Sequence, residues 1–249
     1  MKLEIKLTQA KRMQRAYARV AGALLLWLIV TGLGGGLIVS RIAGSGTFVE
    51  IAKRVVVSER LYRGGLSIQV IEIVSAILFA LTMSATLKPV NRFLAQLAMI
   101  FSLQDTFLAG VVRMSGFVRL HLYTSSQTVG ADTTSAQALS DLMRAIAVAT
   151  ENIGGISFGI SLFLFFYLFF KSRYIPRILS ALGLFASAIW TVLYLAGLIF
   201  PEPRAVFLYI CFPPMGVAII VTGFWLMLFA IKNQGGSDSY TPSRRANPV

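Results

Sequence analysis

Charge is scarce in this sequence. Asp, Glu, Lys and Arg make up 13% of its 249 residues, about half the share of an ordinary soluble domain. That leaves too little polar surface to cover a water-exposed globule. Acids are scarcer still, with 10 Asp and Glu against 23 Lys and Arg and a formal net charge of +13. In a soluble chain such an excess would point to nucleic acid. Here Lys and Arg gather at the ends of apolar runs, where they anchor and orient membrane spans, so no nucleic-acid partner is expected. The single cysteine, Cys211, excludes an internal disulfide and lies in an apolar run as a small hydrophobe. The single histidine, His121, stands alone, which argues against a His-based metal site or triad. HExxH, GxSxG and Walker A patterns are missing, and AGSG at 43–46 reads as a turn. No catalytic residue, metal or cofactor is therefore expected. An intramembrane enzyme using Glu72 and Asp105 as acid and base ranks last among the functional readings, for want of a nucleophile.

What the sequence has in abundance is long apolar runs. Ile153–Phe170 carries no charge on any helical face and spans about 27 Å, close to the thickness of a bilayer's hydrocarbon core. Similar runs cover Val20–Val39, Leu66–Leu87, Phe93–Val112, Ala145–Phe170, Ile178–Phe200 and Ala205–Ile231. The expected fold is all-α: a polytopic membrane protein, a bundle of about six transmembrane helices over residues 20–232. The third run is expected to continue as helix towards His121. A short amphipathic helix is expected at Phe48–Val57, and a solvated loop at Ser125–Ser140. Pro213–Pro214 removes backbone donors from the last run and predicts a kink or break.

Residues 1–19 form a basic N-terminal segment in which six Lys and Arg oppose Glu4. Two readings stand: an amphipathic helix lying on anionic headgroups, or a flank that holds the N-terminus in the cytoplasm. The tail, 233–249, reads as disordered and cytoplasmic. Counting the flanks, 14 Lys and Arg fall on one side of the spans and 9 on the other. The richer side should be cytoplasmic, with both termini on it.

Three acids fall within or beside the spans. Glu72 lies about 24 Å from the inner edge, Asp105 about 20 Å and Glu151 about 30 Å. The first two are thus in the outer half of the hydrocarbon, where a carboxylate costs roughly 2.5–3.5 kcal/mol. Each must face the bundle, be protonated or pair with a cation; Arg63 and Arg113 are the candidates at similar depth. The candidate ligand-binding cluster is Gln69, Glu72, Gln104, Asp105, Arg113, Glu151 and Asn152, opening outward. The alternative for the same groups is an interhelical hydrogen-bond network that fixes packing.

The basic segment ending RVAGALLLWLIVTG, the run LYRGGLSIQVIEIVSAILFALTMSATLKPVNRFLAQLAMIF, and IGGISFGISLFLFFYLFFKSRYIPRILSALGLFASAIWTVLY resemble a bacterial integral-membrane family, "domain of unknown function (DUF) 4386". The PVNR turn at 89–92 and the SRYIPRILS turn at 172–180 are its most specific parts. The resemblance covers residues 15–232. It implies a compact multi-helix domain of the plasma membrane with cytoplasmic termini, and no activity.

Two functions are then expected. One is binding or moving a small molecule or ion at the outward cluster. The other is a non-catalytic subunit or regulator, packing against a membrane-protein partner or a second copy through Gly32/Gly36 and Gly155/Gly159.

Overall fold

The computed structural model describes residues 2–126, 132–199 and 204–229, without the side chains of 2–8, 10, 11 and 204–212. Within them the chain is all helix: α1 Lys2–Ala43, α2 Phe48–Val57, α3 Glu59–Leu87, α4 Arg92–Ser125, α5 Thr133–Ser172, α6 Arg177–Ile199 and α7 Arg204–Phe229. Five of these, α1 and α3 to α6, are long and apolar enough to cross a membrane. The described apolar part of α7, Pro213–Phe229, is shorter. The expected tail and the side chain of Cys211 lie outside the described residues.

The six long helices form a closed ring. α1 packs on α3, α3 on α4, α4 on α5, α5 on α6, α6 on α7, and α7 back on α1. The ring buries small and hydroxylic residues together with a core of Phe79, Phe165, Phe169 and Leu168, and it also turns many large apolar side chains outward. Ser84, Thr86, Ser180 and Ser187 are fully buried, whereas Phe107 is 74% and Ile178 86% exposed. A water-soluble fold does not present so much contiguous apolar surface; lipid tails cover it. The buried hydroxyls bond mostly within their own helices, as Thr86 Oγ1 does to the Thr82 carbonyl and Ser187 Oγ to that of Gly183. A few cross between helices: Ser161 Oγ donates to the Ala98 carbonyl at 2.9 Å and Trp27 Nε1 to Ser75 Oγ at 3.2 Å. The chain is a multi-pass helical membrane protein.

Three expectations change. The basic segment does not form a helix of its own: α1 runs unbroken from Lys2 to Ala43, about 63 Å, roughly twice the hydrocarbon thickness. Its Gln14 side chain donates to the Thr86 carbonyl at 2.9 Å and to Tyr174 Oη at 3.0 Å. The segment is thereby tied to the end of α3 and to the turn after α5. Residues 127–131 of the loop expected at 125–140 lie outside the described residues, and from Thr133 on the stretch is helix, because Asp132 caps α5: its carboxylate accepts from the Thr134 and Ser135 amides at 3.0 and 3.2 Å and from the Ser135 hydroxyl. The Ser/Thr-rich composition that suggested a loop is that of a helix cap. Finally, of the kink or break expected at Pro213–Pro214, the break is absent: α7 stays helical through both prolines. The third run behaves as expected and passes His121, ending at Ser125.

α2 coincides with the amphipathic helix expected from the sequence. It buries Phe48, Ala52 and Val55 beside Tyr62, Leu66, Leu120 and Tyr123. Its start is a capping box: Thr47 Oγ1 accepts from the Glu50 amide at 3.4 Å, and Glu50 accepts from the Thr47 amide at 2.9 Å. The bond from the Thr47 amide, followed by the one from its side chain, holds the Glu50 carboxyl below the usual carboxylate range. A depressed folded-state pKa contributes stability above the unfolded group's titration range, and that contribution is lost as pH falls through the folded value. Acidification from about pH 6 to about pH 3 should therefore loosen the first turn of α2. Amide hydrogen exchange at 48–51, corrected for intrinsic rates, measures this. Glu50→Gln should flatten the dependence; an unchanged slope would show that another group controls the turn.

Candidate functional site

Depth in the membrane dictates the first step of the site. A carboxylate at Glu72 in α3 needs a partner, and Arg113 in α4 turns inward to supply one: Nη2 lies 3.3 Å from Glu72 Oε2, with side chains 24% and 23% exposed. Arg63, the other candidate cation, instead pairs with Glu59 one turn away on an exposed face, at 2.6 Å. The long α4 made this possible, since Arg113 belongs to a helix that continues three more turns to Ser125.

Glycines make room for the acids. A Cβ at Gly32 of α1 would come within 2.7 Å of Glu72 Oε1, and one at Gly154 of α5 within 3.1 Å of Asp105 Oδ1. Both carboxylates are thus pressed against the backbone of a neighbouring helix. Asp105 also lies within electrostatic range of Glu72 and Arg113, so the three groups are coupled.

These groups line a cavity of about 200 Å³ between α3, α4, α5 and α6. Four of the predicted residues, Glu72, Asp105, Arg113 and Glu151, reach it. α5 adds Thr150, Gly154, Gly155 and Phe158; α4 adds Ala109 and Val112. Glu151 is exposed, which puts the cavity in reach of the surface. The remaining three predicted residues lie elsewhere. Gln69 is buried in the α1–α3 contact, where a Cβ at Gly35 would meet its Cγ at 2.8 Å. Gln104 is exposed, one residue and so about 100° around the helix from Asp105. Asn152 is buried but does not line the cavity.

The aromatic wall was not anticipated. Trp190 and Tyr194 of α6 line the cavity and stack with ring centroids 5.1 Å apart; Phe158 meets Trp190 edge-on at 5.8 Å. The close approach of α5 and α6 that seats them follows from Gly155 and Gly159, where a Cβ would collide with Tyr194 and Thr191. The i, i+4 aromatic spacing on α6 was the available signal.

Chemically, the lining offers three carboxylates and one guanidinium beside three aromatic rings. Such a wall suits positive charge, by carboxylate attraction and by the negative faces of the rings. Among the described residues no cluster of three or more His, Cys, Asp and Glu is set to hold a metal ion.

Comparison with known proteins gives one match: the family described as "Domain of unknown function (DUF4386)" matches residues 20–230. No curated protein and no solved structure matches.

Proposed function

The chain belongs to the DUF4386 family, and on that footing we propose that it binds, and moves, a small cationic molecule at the cavity between α3 and α6. One observation carries the reading: among the described residues that line the cavity, Glu72, Asp105 and Glu151 converge with Arg113 against Phe158, Trp190 and Tyr194. Ligand pockets of drug-sized molecules run from about 300 Å³ upward, so about 200 Å³ restricts the ligand to a small one, such as an amine or quaternary ammonium. The domain is residues 20–232, with α7 as a sixth span, in the bacterial plasma membrane. Both termini are cytoplasmic, the basic 1–19 segment meets anionic headgroups, and 233–249 is a cytoplasmic tail. The excess of Lys and Arg on the N-terminal side supports this orientation. It places the cavity on the outer side.

The regulator reading has less support. Its glycine pairs face helices of the same chain: Gly32 meets Glu72, Gly36 is nearest Gln69, and Gly155 and Gly159 meet α6.

The test uses the Trp27→Phe/Trp225→Phe chain in detergent, which leaves Trp190 as the only indole. Titration with tetramethylammonium should change its fluorescence saturably. Asp105→Asn should weaken the response about tenfold, the effect of losing roughly 1.4 kcal/mol of attraction. An equal response to acetate, or no saturable response to the cation, would rule the reading out. Proteoliposome flux with and without a proton gradient then separates transport from binding.

A further inference from the structure

A second cavity sits at the opposite end of the bundle from the N-terminus, in the elbow where α1 hands over to α2 and α3. It is an open cleft of about 460 Å³ lined by Arg41, Ile42, Lys53, Arg54, Val57 and Ser58. Three cations and no acid face it. Two carboxylates lie close by in sequence: Glu50 is engaged in the capping box with Thr47, and Glu59 pairs with Arg63. Arg54 has a structural duty: it donates to the Ala43 carbonyl at 2.6 Å and the Ser45 carbonyl at 2.8 Å, closing the turn between α1 and α2. Arg41 and Lys53 are exposed. Ser58 stands at the start of α3 but makes no side-chain cap bond, which leaves a hydroxyl at the cleft.

Apolar side chains stand beside these charges. Val57 is 87% exposed, and Leu61, one turn on, 58%. Val49 and Val56 of α2 are exposed as well. Such residues next to cations, at the end of membrane-spanning helices, match the boundary between headgroups and acyl chains. A free anion would use the cations but leave the valines and leucine unexplained.

We propose that the α1–α2 elbow is a binding site for an anionic phospholipid, with its phosphate held by Arg41, Lys53 and the Ser58 hydroxyl and its chains along Val57 and Leu61. The absence of any lining acid favours a headgroup of net negative charge over a zwitterionic one, whose ammonium the cations repel. The site is independent of the cation cavity, since the two share no residue.

Native mass spectrometry of the full chain, exchanged into mixed phosphatidylglycerol and phosphatidylcholine micelles, tests this. The wild type should retain phosphatidylglycerol preferentially. Arg41→Gln/Lys53→Gln alters only exposed side chains and spares Arg54, so the fold is kept. It should lower that retention about tenfold or more, on the scale of two headgroup contacts. Arg15→Gln/Arg19→Gln, at the other end of the bundle, should leave it unchanged. Retention that survives the elbow substitutions, or that falls only with the N-terminal pair, overturns the proposal. So does inorganic phosphate displacing the lipid at equal concentration, which would make the elbow a plain anion site.

Discussion

Arg113→Met should destabilise the folded chain by about 3 kcal/mol, and Glu72→Gln by clearly less. The side chains are each about a quarter exposed, on two helices long and apolar enough to cross a membrane. Breaking such a pair costs mainly through the charge left behind. Removing Arg113 leaves two neighbouring carboxyls, Glu72 and Asp105, with no other cation among the described residues that line the cavity. Removing the Glu72 charge leaves Arg113 within range of Asp105. The asymmetry therefore has a direction. It also predicts rescue: Glu72→Gln in the Arg113→Met background should recover part of the loss, because it discharges one of the stranded acids. A double-mutant cycle on unfolding in mixed micelles measures all three. Equal single effects, or strict additivity, would mean that the pair at 3.3 Å is a surface contact of little weight.

That Glu72 and Asp105 need a partner or a proton was legible in the sequence, by depth alone. Counting residues from Lys88 and Arg92 put Glu72 and Asp105 where a carboxylate cannot stand unaided. Which arginine answered was not legible. Arg63 and Arg113 lay at similar depth, and only the Glu59 neighbour one turn away decided against the first. Gln104 shows a related limit. Sequence adjacency to Asp105 suggested a shared site, but successive residues on a helix point about 100° apart, and Gln104 faces outward. Trp190 and Tyr194, whose spacing shows a shared face but not where it points, were missed for another reason. In a span, aromatic residues face lipid or interior with equal ease, so hydrophobicity carries no sign of direction. α2 was legible because its surroundings are not uniformly apolar, and alternation between Phe48, Ala52, Val55 and the charged positions marks a buried face. Helix order was equally plain, but the return of α7 onto α1, which closes the ring, needs the whole set of packings.

That closure supports the second large effect. Gly22→Leu should reduce the yield of folded, monodisperse protein severely, with a cost of about 3 kcal/mol, the upper end of ordinary overpacking. A Cβ at Gly22 would lie 2.7 Å from the Gly223 carbonyl oxygen and 2.8 Å from the Met227 amide nitrogen. These are backbone atoms of α7 and cannot rotate away; the helices must separate. Separation would uncover Ala218 and Leu226, which are fully buried, and Met215, which is 2% exposed. Gly34→Leu is the control, since nothing lies within 4 Å of a Cβ there. Leucine is the better helix former by about 0.8 kcal/mol, so Gly34→Leu should be neutral or slightly stabilising in the same detergent. Thermal unfolding and size-exclusion profiles of the two variants decide the matter. If Gly22→Leu behaves like Gly34→Leu, α7 does not pack on α1, and the ring is open at that seam. If only Gly22→Leu fails, the seam is closed by backbone contact, and α1 is held on both sides: by α3, which carries the charged pair, and by α7.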